Sequence, residues 1–171
     1  MNANDGIVYL TGSVELLDEV QPLWEQLAQY HASKTKVFTG RYQSFGFERR
    51  RRMFIALAQS GKLRVDLAQV HNSSASIKSI QSIGYCVDSI WTKFDRTIGE
   101  VESLFVEPAY CGRGIGGQLM RLALEWFEKH KVETRILYVA EGNEDVFDFY
   151  RRFGFFKRST LLEQVRENLA K

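Results

Sequence analysis

The chain has 171 residues, of which 44% are hydrophobic, and a formal net charge of +2. This length suits a single domain, residues 1–171, with a buried core, and the near balance of charge gives no general case for a nucleic-acid or membrane partner. The two cysteines and three histidines lack the spacing of a disulfide framework or a metal site. Without a signal-peptide pattern or a membrane-spanning apolar run, we expect a cytoplasmic protein.

The first part of the chain predicts one strand followed by two helices. Ile7–Leu10 indicates a short strand. Helical spacing of apolar residues follows at Leu16, Leu17, Val20, Leu23, Trp24 and Leu27. Pro22 interrupts this pattern, which predicts either a kink or a later start of the helix. A second helix is predicted from Phe45 to Leu57, with Gly61 at its end.

The middle of the chain predicts three strands. Leu63–Val70 alternates, and a polar turn follows at His71–Ser76. Ile83–Trp91 is rich in β-branched and aromatic residues, and Ile98–Val106 is a further strand. A hairpin through Lys93–Thr97 would join these last two strands in antiparallel order.

The last part of the chain alternates helices with strands. A helix after the glycines carries an apolar face made of Leu119, Leu122, Ala123, Trp126 and Phe127, and Ile136–Ala140 predicts a buried strand. A short helix with Asn143 as its N-cap would present Val146, Phe149, Tyr150 and Phe153 and end at Gly154. Final strands are predicted at Phe155–Arg158 and Leu161–Val165.

The resulting order, βααβββαβαβ, predicts a mixed α/β fold. We expect one central, mostly antiparallel twisted sheet with helices on both faces. No internal repeat and no Pro/Gly/Ser linker divides the chain.

The segment between the fourth strand and the long helix points to an anionic ligand. It consists of Cys111, Gly112, Arg113, Gly114, Ile115, Gly116 and Gly117. A glycine-rich turn that opens a helix presents free backbone N–H groups at the positive end of the helix dipole, which suits phosphates.

Several interpretations fit this segment. The segment Gly112–Gly117 satisfies the GxGxxG pattern of dinucleotide-binding proteins. A dinucleotide fold, however, would place that turn near the start of a βαβαβ half, with far more chain after it. A triphosphate-binding loop requires a lysine and a hydroxyl, which Gly116-Gly117-Gln118 does not supply. A helix cap whose glycines only permit the turn is a further alternative, as is a loop for the diphosphate of coenzyme A.

Two blocks of sequence resemble the GNAT-type N-acetyltransferase family. The first runs from Glu100 to Leu119 and contains the glycine segment; the second is Asn143 followed by Phe149-Tyr-Arg-Arg-Phe-Gly-Phe155. The resemblance covers about the last seventy-five residues well. It implies an acyl-CoA N-acyltransferase fold, acetyl-CoA as co-substrate without a metal, and a homodimer as one option. It further implies direct transfer of acetyl to an amine of a small molecule or peptide.

The resemblance also implies roles for residues of the two blocks. The pantetheine arm of coenzyme A would pair with Leu104, Phe105 and Val106, and the strand Ile136–Ala140 would splay away to open a slot. The glycine segment would hold the diphosphate. Cys111 departs from the family's usual Arg or Gln, so Arg113 would supply charge instead.

The second block supplies the other implied residues. Tyr150 matches the family's general acid, which protonates the departing thiolate. Phe149, the residue before it, is expected to bind the coenzyme. Asn143 would either cap its helix or contact the pantetheine.

The acidic and basic residues before the loop suggest acceptor chemistry. Glu100 and Glu102 are two positions apart on a predicted strand, so both would face one side and could attract or deprotonate an ammonium. The same alternation sends Val101, Ser103 and Phe105 to the other side. An exposed sheet face is the plainer interpretation.

The run Glu48-Arg-Arg-Arg-Arg52 is either a solvated helix face or the entrance to an acceptor site that favours an acidic acceptor or the 3′-phosphate of the coenzyme.

Two other functions stay open. One is a non-catalytic acyl-CoA sensor, and the other is an acetyltransferase acting on a macromolecule such as a protein N-terminus.

Overall fold

The computed structural model describes residues 6–44, 46–60, 62–72 and 79–164. Within these ranges the strands are β1 (Ile7–Gly12), β2 (Leu63–Asn72), β3 (Ser79–Lys93), β4 (Arg96–Val106) and β5 (Thr134–Leu137). The helices are α1 (Leu17–Lys34), α2 (Thr39–Ser44), α3 (Phe47–Gln59), α4 (Ile115–Lys129) and α5 (Phe147–Arg151).

The strands form one sheet in the order β1-β2-β3-β4-β5. The first four strands pair antiparallel with their neighbours, whereas β5 pairs with β4 in parallel. A parallel neighbour requires a crossover, and α4 supplies it. The mixed fold with a mostly antiparallel sheet is therefore confirmed.

Each face of the sheet carries its own hydrophobic cluster. On one face, buried side chains of α1 and α3 pack against Val65, Leu67, Tyr85 and Val87. On the other face, α4 packs against Ala68, Ile83, Cys86 and Ile90. From Tyr85 onward, successive residues of β3 alternate between the clusters because successive side chains of a strand point to opposite sides, and a register shift against β2 places Ile83 on the α4 side. This confirms the expected helices on both faces.

The hairpin between β3 and β4 turns at Phe94 and Asp95. Both residues have left-handed φ angles, 49° and 61°. A two-residue turn of this hand matches the twist of the flanking strands, which is why it is common in hairpins. The predicted hairpin at Lys93–Thr97 is confirmed.

A β-bulge interrupts the pairing of β3 with β4. Val87 lies opposite Ser103 and Asp88 lies opposite Val101, so Glu102 is an extra residue on β4. The extra residue resets the alternation of the strand. Ser103 and Phe105 therefore face the α1/α3 side together with Glu102, and their expected placement on the opposite side is wrong.

The helices near the N-terminus differ from expectation in their starts. Helix α1 begins at Leu17 with Pro22 inside it, so a later start is wrong. Leu17, Val20 and Leu23 are fully or almost fully buried, and this packing outweighs the one hydrogen bond that proline removes. Helix α2 was not predicted. Helix α3 begins at Phe47, and the predicted boundary residues at 45 and 61 lie outside the described residues.

The predicted C-terminal strands are wrong for the residues described. Residues 155–164 have no regular structure, and Phe156, Leu161 and Leu162 are strongly exposed. Strand β5 covers Thr134–Leu137 and is half-buried, whereas the sequence predicted a buried strand over 136–140. The apolar letters continue past Leu137, but pairing with β4 stops there.

Candidate functional site

The glycine segment forms the turn that leads into α4. Gly112 and Gly114 have φ angles of +76° and +81°, a left-handed conformation that favours glycine. The first backbone bond of α4 runs from the Gln118 N–H to the Gly114 carbonyl, 3.0 Å. The N–H groups of residues 115–117 precede this bond and so are free of helical partners. Ile115 buries its side chain and anchors the turn, which can thus accept an anion.

The two side chains of this loop that are neither glycine nor buried turn back toward β4. The Cys111 thiol is exposed and lies 3.6 Å from the carbonyl oxygens of Val106 and Glu107. The Arg113 guanidinium donates to the Ala109 carbonyl at 3.1 Å. The loop therefore presents backbone groups, and the exposed Arg113 side chain lies beside them.

An open edge of β4 continues from this loop. β4 pairs with β5 over four residues, from Ile98 opposite Thr134 to Val101 opposite Leu137. β4 then runs on to Val106, so its stretch 102–106 has no β5 partner within the described part of the chain. The structure thus places the backbone of Leu104, Phe105 and Val106 along a wedge that opens where β5 ends. An extended ligand could add to this edge as a strand would.

Asn143 lies in the loop after β5, before α5. The residue is 9% exposed, and its backbone N–H donates to the Ala140 carbonyl at 3.1 Å. Asn143 is the N-cap residue of the 3-10 turn that leads into α5, as predicted, but its side chain makes no capping hydrogen bond. Its Oδ1 is buried and lacks a partner among the described residues. Such an atom costs about 1–3 kcal/mol unless water or a ligand satisfies it.

Phe149 and Tyr150 on α5 pack beneath the glycine loop. A Cβ added to Gly116 would lie 3.6 Å from the Phe149 ring, which places that ring against the start of α4. The Phe149 and Tyr150 ring centroids are 5.1 Å apart. Burial raises the pKa of the Tyr150 hydroxyl, and the nearby Cys86 thiol raises it further. The phenol therefore stays protonated at physiological pH and can donate a proton, but it cannot act as a base.

Glu102 lies on the opposite face of the sheet, held at the bulge. Arg50 donates to its Oε2 at 3.1 Å and to its backbone carbonyl at 2.8 Å. The Ser89 hydroxyl donates to Oε1 at 2.8 Å. The Glu102 side chain is only 8% exposed, so this carboxylate has a fixed direction. One arginine of the run 48–52 therefore reaches the site, while Arg51 pairs with Asp18 of α1 at 2.6 Å.

Glu100 shares this face but has a different environment. The Trp91 indole N–H donates to its Oε2 at 3.3 Å. Burial, followed by the charge of Glu102, raises the pKa of Glu100 to about 7, against the smaller opposing effects of Trp91 and Arg50. A carboxyl group that titrates near neutral pH suits proton transfer. The two glutamates face one side of β4, as the sequence predicted.

A cavity of about 240 Å³ opens beside Glu102 between α1, α2, α3 and β4. Burial lowers the pKa of His31 in its wall, which keeps that imidazole neutral at physiological pH. The complete lining is Trp24, Leu27, Ala28, His31, Arg41, Tyr42, Arg50, Glu102 and Ser103.

Sequence reasoning missed most of this cavity wall. It gave Trp24 and Leu27 only as members of a helical apolar pattern and did not predict α2, which carries Arg41 and Tyr42. One signal was present, because His31 follows Trp24 and Leu27 at helical spacing and extends their apolar stripe with a polar side chain. Among the described residues, no group of three His, Cys, Asp or Glu side chains could hold a metal. In the same part of the chain, no helix combines the length and apolarity needed to cross a membrane.

Comparison with known proteins gives matches in sequence and in fold. Residues 73–155 match the sequence model of the Acetyltransferase (GNAT) family. A curated protein of Methanocaldococcus jannaschii, described as an uncharacterized N-acetyltransferase, is 33% identical over 71 residues. That match covers 42% of this chain and spans 31% of the length of the relative.

Solved structures resemble almost the whole chain. A GCN5-related N-acetyltransferase from Ralstonia eutropha has a TM-score of 0.70 at 15% identity, covering 94% of this chain and 99% of that one. Aminoglycoside N-acetyltransferase AAC(6')-Iy, solved in complex with CoA, has a TM-score of 0.65 at 14% identity, covering 94% of this chain and 95% of that one. At these identities the likeness concerns the fold alone.

Proposed function

We propose that this chain, whose residues 73–155 match the sequence model of the Acetyltransferase (GNAT) family, transfers an acetyl group from acetyl-CoA to a primary amine. The observation that carries the proposal is the continuity of three features: the amide-lined turn at 112–117, the open edge of β4 at 102–106 and the protonated Tyr150. Together they offer sites for a diphosphate, an extended amide arm and a leaving thiolate.

The residues present fit coenzyme A along this path. The N–H groups of residues 115–117 would bind the diphosphate, with Arg113 free to swing from its exposed position. The pantetheine arm would pair with the backbone of 104–106, and the orphan Oδ1 of Asn143 would accept a hydrogen bond from one of its amides. The similar aminoglycoside N-acetyltransferase AAC(6')-Iy, solved with CoA, supports the same choice of co-substrate.

The chemistry would be direct attack without a covalent enzyme intermediate. Glu102 would attract the ammonium of the acceptor, and Glu100 would accept its proton through water near its pKa of about 7. The neutral nitrogen would form a bond to the thioester carbon, and the C–S bond would then break. Tyr150 would give its proton to the departing sulfur. A positioned acid or base of this kind contributes roughly 10²–10⁴ in rate.

Two alternatives are less well supported. A non-catalytic CoA sensor would not need Glu100, a carboxyl group that titrates near neutral pH, near the cavity beside Glu102, which we call the acceptor cavity. A macromolecular acceptor would have to place its amine in a cavity of about 240 Å³, which suits a small molecule or one terminal residue. A homodimer remains a proposal: the C-terminal segment exposes Phe156, Leu161 and Leu162, which a second copy could cover.

Calorimetry with coenzyme A tests the proposal, with thiol release in the presence of amines as the second readout. Gly114→Ala forces a side chain into a left-handed backbone conformation, which costs about 1 kcal/mol and should weaken CoA binding about fivefold. Gly154→Ala is the matched control, since Gly154 has a φ of +82° and open space around it. Absence of CoA binding to the unaltered protein would refute the proposal.

A further inference from the structure

The charge of the acceptor cavity differs from what a site for polycations needs. Two guanidinium groups, Arg41 and Arg50, line it against one carboxylate, Glu102. Arg50 and Glu102 form an ion pair at 3.1 Å. The charge that remains in the wall is the positive one of Arg41, because the buried imidazole of His31 is held neutral.

Arg41 is occupied by a carboxylate from the protein's own C-terminal segment. Its Nη1 forms an ion pair with Glu163, and the two side chains are 51% and 47% exposed. Ion pairs with this exposure add little net stability, so another carboxylate can replace Glu163 at small cost. The pair therefore shows that Arg41 binds a carboxylate, and a carboxylate of a ligand can take the place of Glu163.

The remaining wall is apolar and aromatic. Trp24, Leu27 and Ala28 of α1 and Tyr42 of α2 line the cavity. The volume of about 240 Å³ lies below the range typical of drug-sized ligands, so the occupant is small. A small ligand that satisfies this wall has an apolar or aromatic body between its polar ends.

We propose that the acceptor is a small amine that also carries a carboxylate and an apolar or aromatic body. Its ammonium lies toward Glu102, and its carboxylate replaces Glu163 on Arg41. This inference rests on the proposed acetyl transfer and names the substrate class for it. It separates this chain from the aminoglycoside acetyltransferases that share its fold, since a polycation would meet two guanidinium groups against the single carboxylate of the cavity wall.

Paired amines test the inference through thiol release from acetyl-CoA. Phenylalanine is compared with phenethylamine, and 4-(aminomethyl)benzoate with 4-methylbenzylamine, so each pair differs in the carboxylate and the two pairs differ in its spacing from the amine. Of the two amines that carry a carboxylate, the faster is expected to have a kcat/KM at least tenfold above that of the matching amine without one. The matching amine loses the charge-assisted hydrogen bond that the carboxylate accepts. Spermidine serves as the polycation and is expected to be the poorest acceptor.

Two variants test whether Arg41 causes the preference for acceptors that carry a carboxylate. Arg41→Gln is expected to remove most of the carboxylate advantage, so that the ratio of kcat/KM within each pair of amines falls toward one. Glu163→Gln is expected to lower KM for the carboxylate substrate up to about fivefold, because it frees Arg41. Arg135→Gln, which breaks an ion pair between β5 and Glu128 of α4 outside the cavity lining, is the control.

The outcomes distinguish this inference from the proposed function. If phenethylamine or spermidine equals or exceeds the carboxylate substrates, the substrate class is wrong while acetyl transfer stands. An unchanged carboxylate preference in Arg41→Gln also overturns the inference. If CoA binds but none of these amines releases thiol, the substrate class fails and the sensor function gains support. Failure to bind CoA refutes the proposed function itself.

Discussion

The two halves of the candidate site are built in different ways. The half that fits coenzyme A uses backbone groups from two short stretches of sequence, the open edge of β4 at 102–106 and the turn at 112–117. The acceptor half uses side chains from α1, α2, α3 and β4, with an ion pair from the C-terminal segment. Recognition through the backbone constrains glycine positions locally, whereas recognition through side chains depends on packing between distant segments.

Tyr150→Phe is the strongest test of this division, because Tyr150 is the side chain that would act chemically within the backbone-built half. The variant removes the proton donor and keeps the ring in its cluster. We expect kcat to fall at least tenfold, within the usual range for a general acid, while the affinity for CoA changes less than twofold. Steady-state kinetics and calorimetry measure the two quantities.

Tyr30→Phe is the matched control for this variant. Tyr30 lies on α1 with 39% of its surface exposed and should leave both quantities unchanged. If Tyr150→Phe turned over as fast as the unaltered protein, Tyr150 would be a packing residue, and the coenzyme half of the site would supply no proton donor.

The sequence predicted the glycine turn and helix α4 well because local rules govern them. Gly112 and Gly114 adopt the left-handed angles that only glycine tolerates readily, and the amphipathic stripe of α4 follows directly. The placement of Ser103 failed because a single extra residue at Glu102 reverses strand alternation, and no local pattern marks that bulge.

The acceptor half was harder to predict for a related reason. Helix α2 has six residues and little periodicity, so Arg41 and Tyr42 gave no helical signal. The contact between Arg41 and Glu163 joins residues 122 positions apart. The apolar letters of the last segment suggested strands, but those residues find no partner on the sheet within the described chain, and Leu161 and Leu162 remain exposed.

The pH dependence of turnover sharpens the comparison on the acceptor side. The pKa of Glu100 is raised to about 7, so this carboxyl group is protonated and unable to accept a proton below that pH. We expect kcat/KM for the acceptor to fall about tenfold per pH unit below 7 and to level off above it. Glu100→Gln should lower kcat/KM at pH 8 and abolish this limb of the profile.

The companion variant Glu102→Gln should behave differently. It leaves Arg50 without its carboxylate partner and so should raise KM for the acceptor, while the limb near pH 7 remains but moves to lower pH. The limb moves because the charge of Glu102 contributes to the raised pKa of Glu100. A profile of Glu100→Gln that still falls below pH 7 would assign the base to another group.

The smallest expected effect concerns Asn143, whose Oδ1 is buried without a partner, as expected for an atom that waits for a ligand. Asn143→Ala removes no hydrogen bond of that oxygen, so the free energy of unfolding should change little. Loss of one hydrogen bond to the pantetheine should weaken CoA binding about twofold to tenfold. Thermal unfolding and calorimetry separate the two effects.

Gln69 provides the opposite case for this last test, because it is equally buried at 9% exposure but fully engaged. Its Nε2 donates to Glu19 at 2.7 Å and to the Ser82 hydroxyl at 3.2 Å. Gln69→Ala should therefore lower Tm by several degrees, on the basis of about 1–2 kcal/mol for the lost bonds, and leave CoA affinity unchanged. If instead Asn143→Ala destabilised the protein and left CoA affinity unchanged, Asn143 would be part of the scaffold, and the coenzyme half would rest on backbone groups and Tyr150 alone.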